Sequence, residues 1–142
     1  MNEVAHDDDW LRRFTPREWI RAGLADVSRA ERALAQRDRR AGLAGCRRAA
    51  GMGINAILAT QSAPDVRYGR TYMEHLLALA DEPNAPSAVR EAATVLHQTA
   101  LPGGQIVLLG TPATSENWLE AAKTILAHGL AMVMKAEGPS EG

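Results

Sequence analysis

Five stretches of the chain repeat apolar residues at the spacing of one helix face. Ile20, Leu24, Val27, Ala30 and Leu34 make the first stripe, which predicts a helix over 16–36. Thr15 is its N-cap, Pro16 takes the first helical position, and Glu18 completes a capping box. Phe14 and Trp19 stand where a hydrophobic staple would join them. Leu43, Cys46, Ala50, Ile54, Ile57 and Leu58 predict a second helix over 39–60, capped by Asp38. Tyr72, Met73, Leu76, Leu77 and Ala80 predict a third over 72–81, opened by a second capping box of Thr71 and Glu74. A fourth starts at Ser87 and runs to Ala100 on Ala88, Val89, Ala92, Val95 and Leu96. The last starts near Pro112 or Ser115 and ends near Ala136. Its stripe, from Trp118 through Ile125 and Leu126 to Val133, is the cleanest in the chain.

Breakers separate these stretches: Pro64 and Gly69, then Pro83 to Pro86, then Pro102-Gly103-Gly104. The run Gln105 to Leu109 has the length and flanking glycines of a strand. The chain offers no second strand to pair its backbone. It reads as an extended crossover, with pairing to the same segment of a second subunit as the alternative. The expected fold is all-α, an antiparallel bundle of four to five helices with one extended crossover before the last. Residues 1–13 read as an acidic flexible leader, 14–136 as one bundle domain, and 137–142 as a disordered tail.

The second helix is crowded with small residues, among them Gly42, Gly45, Gly51 and Gly53. Each Gly costs a helix about 1 kcal/mol against Ala. Four together imply a neighbouring helix packed very close. Gly51-Met52-Gly53 lacks the preceding strand and third glycine of a dinucleotide loop.

Composition narrows the function classes. At 142 residues the chain is one domain, long enough to bury a core without staples. The single Cys46 excludes an internal disulfide and a multi-Cys zinc site. No apolar run approaches the roughly 20 residues of a membrane span. The acidic start lacks the regions of a signal peptide, so a cytoplasmic protein is expected. Asp7-Asp8-Asp9 beside His6 read as solvated charge rather than metal ligands, and no cofactor motif is present.

A net charge of -1 hides an uneven distribution. Residues 12–48 carry eleven arginines against four acids. Arg39, Arg40, Arg47 and Arg48 share the second helix. The plain reading is a solvated face. The sharper one makes Arg40, Arg47 and Arg48 a binding face for phosphate or nucleic acid, steeply sensitive to salt.

The helix order resembles the HEPN superfamily of small helical bundles. The resemblance is carried by the helix ending Ala33-Leu-Ala-Gln-Arg-Asp38, followed by the small-residue helix Ala44 to Leu58. Tyr72 to Asp81 looks like the family's short middle helix, and Trp118 to Val133 like its last long one. The resemblance implies a compact bundle, often a dimer. Many members are metal-independent ribonucleases with an Arg-x(4–6)-His motif, and others are binding modules without it. In the motif Arg would hold the phosphate and His would transfer a proton.

Arg70-Thr-Tyr-Met-Glu-His75 and Arg90 to His97 both fit that spacing. About one such match is expected by chance in a chain this rich in Arg. In the ribonuclease members the motif sits late in the chain, where this sequence has only Lys123-Thr-Ile-Leu-Ala-His128. Lys lacks the bidentate fork of Arg. No catalytic residue is assigned, and Arg70 with His75 is the candidate pair. The expected function is therefore a non-catalytic module that works as a homodimer or through a partner protein. The alternative is a ribonuclease or nucleic-acid-binding relative.

Overall fold

Thr15 opens the first helix as the capping box requires. Its hydroxyl accepts from the Glu18 N–H at 3.1 Å, and the Glu18 carboxylate accepts from the Thr15 N–H at 2.8 Å. Phe14 and Trp19 meet edge to face with ring centres 4.8 Å apart, which closes the staple. The computed structural model describes residues 10–100 and 115–138. Among them are five helices: α1 (Pro16–Ala35), α2 (Arg39–Ala59), α3 (Tyr72–Ala80), α4 (Ser87–Gln98) and α5 (Ser115–Glu137). The protein is an all-α bundle with no strand among the described residues. The expected crossover at Ile106–Leu109 lies outside the described residues. None of the described helices is long and apolar enough to cross a membrane.

Both other predicted caps form. The Asp38 carboxylate accepts from the Ala41 N–H at 3.1 Å, and Thr71 and Glu74 exchange bonds of 3.1 and 3.0 Å. Between α1 and α2 the chain turns through Arg37, which has φ of 64°. Arg37 N–H reaches Leu34 O at 3.0 Å and Asp38 N–H reaches Ala33 O at 2.9 Å. This is a Schellman turn with an arginine where glycine is favoured.

The glycines of α2 explain the packing. A Cβ on Gly45 would meet Ala30 of α1 at 3.0 Å, and one on Gly42 would run into Leu34. Gly23 of α1 lies against Ala49 O of α2. Residue numbers rise on α1 as they fall on α2, so the two helices run antiparallel. Lower on α2, Gly53 faces α5. A Cβ on Gly129 would sit 2.7 Å from Gly53 O, closer than real carbon atoms approach. The close neighbour implied by the small residues is thus two helices of the same chain, one on each side of α2. The core fills the remaining space with Leu43, Cys46, Ile54, Leu76, Leu79, Leu96, Trp118 and Ile125.

One finding differs from the sequence expectation. Residues 10–13, expected in the flexible leader, form a turn of 3-10 helix within the folded body. Leu11 is 1% exposed, and its carbonyl accepts from the Trp19 indole N–H at 3.0 Å. Arg12 donates to Ala59 O at 2.9 Å and Gln61 O at 3.0 Å, binding the carbonyls left free at the C-terminal end of α2. The linker before α3 also holds a 3-10 turn, Val66–Tyr68.

These features set two expected outcomes for denaturant unfolding. Gly129→Ala should destabilise by about 2 kcal/mol, because backbone overlap outweighs the helix propensity it adds. Arg37→Gly should stabilise by about 1 kcal/mol, because it relieves the left-handed turn.

Candidate functional site

Trp10 is the hinge of the site. Its ring stacks on the His75 imidazole with centres 6.1 Å apart and meets Trp19 edge-on at 6.4 Å. The guanidinium of Arg70 lies over the same ring, 5.7 Å from its centre. Arg70 reaches that position because Gly69 turns the chain with φ of 64° and the Glu74 carboxylate holds the Arg70 N–H at 2.8 Å. Tyr72, the first residue of α3, lies against Gly51 of α2, where any side chain would collide with its ring. An open groove of about 470 Å³ results, walled by Trp10, Phe14, Trp19 and Tyr72, with Arg13 and Arg70 beside them. Four of the six aromatic residues of the chain stand in this one groove.

The sequence candidates fall into place differently. His75 is 1% exposed. Its Nδ1 lies 2.7 Å from Tyr68 O and its Nε2 lies 2.7 Å from the Asn55 side-chain amide. Burial lowers the His75 pKa, against the smaller opposing pull of Tyr68 O and Glu74. Tyr68 O can only accept, so Nδ1 donates to it, and Nε2 lies against the Asn55 side-chain oxygen. Both nitrogens are therefore engaged inside the protein. Arg70 and His75 are brought together only through Trp10, and the imidazole offers no free nitrogen to a substrate. Arg90 and His97 sit two turns apart on α4, about 10 Å along its axis. Lys123 pairs with Glu31 of α1 at 3.4 Å. His128 lines a separate small cavity with Tyr68 and Glu82, so Lys123 and His128 do not converge. Cys46 is fully buried, and burial pushes its thiol up to about 11, so it is no nucleophile.

The expected arginine face is taken apart by the fold. Arg47 donates to Leu96 O and Thr99 O, both at 2.8 Å, and so holds the C-terminal end of α4. Arg48 donates to Asp26 at 3.0 Å, and Arg29 donates to the same carboxylate at 2.8 Å. Asp26 is 4% exposed, a buried charge that needs those partners. Arg39 lies 5.0 Å over the buried Trp118 ring. Arg40 is exposed. Of the three arginines expected to bind together, Arg47 and Arg48 thus hold other parts of the chain. Among the described residues no acid or His cluster could hold a metal ion.

Sequence reasoning missed the groove. It placed Trp10 and Arg13 in a leader and joined Trp19 to Phe14 only. The usable signal was density: Trp10, Phe14 and Trp19 put half of the chain's aromatic residues within ten positions. Comparison with protein-family models, curated proteins and solved structures finds no match for this chain.

Arg47→Ala should lower stability by about 2 kcal/mol through its two lost charged hydrogen bonds, read as a shift in urea midpoint. His75 and His128 both have pKa values lowered by burial. The unfolded chain takes up their protons first, as pH falls through about 6.5. Stability should therefore be full above that pH and decline below it. The urea midpoint should fall between pH 7.5 and 5.5, and by less in His75→Gln than in the parent.

Proposed function

We propose that this chain is a non-catalytic, HEPN-like binding module of the cytoplasm, acting as a homodimer or with a partner. The observation that carries the non-catalytic reading is the state of His75. General acid–base work needs an imidazole nitrogen within hydrogen-bond reach of the substrate. His75 gives both nitrogens to Tyr68 and Asn55 and is closed to solvent. The order of a long first helix, a small-residue second helix, short middle helices and a long last helix supports the HEPN-like reading. For self-association the surface offers Leu24, Leu77 and Met134, each more than half exposed. The glycine row of α2 is covered from within the chain by α1, α5 and the Tyr72 ring of α3.

The ribonuclease alternative has one clean test. Purified protein is incubated with single-stranded and structured RNA in the presence of a chelator. No cleavage above a buffer control is expected, and none that His75→Ala removes. Metal-independent cleavage by the parent that disappears in His75→Ala would overturn the reading.

A further inference from the structure

We infer that the groove beside Trp10 binds a small planar aromatic anion, a ring carrying a carboxylate or a phosphate. The inference rests on the reading of the chain as a binding module. It adds a ligand class and names the residues that select it.

The walls suit a flat ring. Phe14 leaves 39% of its surface exposed, and Trp10 and Tyr72 are half-buried in the lining. Aromatic side chains receive another ring edge-on or offset-stacked, with roughly 0.5–1.5 kcal/mol beyond area burial for each pair. A groove of about 470 Å³ falls in the size range of small-ligand pockets. That volume suits one ring system and its substituent better than a stretch of polymer.

The rim suits an anion. Arg13 and Arg70 are exposed, and neither guanidinium has an ion pair or hydrogen bond among the described residues. Six of the fourteen arginines are engaged: Arg12 and Arg47 on helix ends, Arg29 and Arg48 on Asp26, Arg17 on Glu137, and Arg67 on Asp65. No Asp or Glu lines the groove among the described residues. Glu18 and Glu74, each four positions after a groove residue (Phe14 and Arg70), are turned to helix N-termini as capping-box acceptors. Two unpaired guanidinium forks beside apolar rings match a carboxylate or a phosphate in charge and in shape.

The three tryptophans supply the test. Trp10 and Trp19 line the groove, whereas Trp118 is fully buried and lies elsewhere. In the 15N-labelled full chain, each gives one indole N–H signal. The probes are 2-naphthoate and 1-naphthyl phosphate, with 2-naphthylmethanol and inorganic phosphate as the ring and the anion alone. Either charged-ring probe should move the Trp10 and Trp19 signals along a saturable curve and leave Trp118 in place. The stronger of the two identifies the anion. The neutral ring should bind about tenfold more weakly, the size of one lost charged hydrogen bond, and inorganic phosphate about tenfold more weakly through the lost ring stacking. Arg13→Gln should weaken binding about tenfold at an unchanged thermal midpoint, and Arg70→Gln about tenfold with only the small loss of its contact over the Trp10 ring. Equal binding of the neutral ring, a matching shift of Trp118, or no shift at millimolar probe would overturn the inference. So would a single-stranded oligonucleotide that binds far more tightly than any small anion, which would make the groove a nucleic-acid site. Failure here with no RNA cleavage removes only the ligand class. Cleavage lost in His75→Ala removes the non-catalytic reading whatever the probes do.

Discussion

Everything in this bundle depends on how closely α2 can be approached. A helix normally keeps its neighbours 8–10 Å away because side chains stand between the backbones. Here Gly45 and Gly42 let α1 settle on one side, while Gly53 and Gly129 let α5 settle on another. The same helix yields at Gly51 to admit the Tyr72 ring. A propensity penalty accepted four times in one helix is answered by backbone-level packing on three surfaces. Dispersion attraction between surfaces that close is large in sum, and it requires no polar atom to be satisfied.

That packing in turn places the chemistry. With Tyr72 seated in the hollow of α2, α3 holds His75 against Asn55, and the His75 ring becomes the floor on which Trp10 stacks. Trp10 lies beneath the Arg70 guanidinium, and Arg13 lines the same opening. His75 is thus a positioning residue: its bonds to Tyr68 and Asn55 tie the linker, α2 and α3 together beneath the groove. Burial lowers the pKa of this histidine.

Much of the fold was legible from the sequence because its signals are local. The Thr15–Glu18 and Thr71–Glu74 boxes, the Asp38 cap and the Phe14–Trp19 staple each involve residues within five positions, and all formed as read. The glycines of α2 announced a close neighbour but carried no label saying whether it came from the same chain. The arginines were less legible still. Arg12 and Arg47 are 47 to 52 positions from the carbonyls they hold, and nothing around either residue marks a helix end so far along the chain. The groove was illegible for the same reason: Arg70 and Tyr72 meet Trp10 and Phe14 only after α3 docks on α2.

The Arg17–Glu137 pair has a consequence for how the chain is threaded. Its two bonds of 2.8 and 2.9 Å join the first turn of α1 to the last turn of α5. Exposed as it is, it adds little stability, but it brings the beginning and the end of the bundle to one place. Such an arrangement tolerates circular permutation. The first turn of α1 and the last turn of α5 lie close enough for a short linker between residues 10 and 138, with a new opening cut in the proline-broken turn at 82–86 between α3 and α4. The order of synthesis would then be changed, with every helix left in its present position.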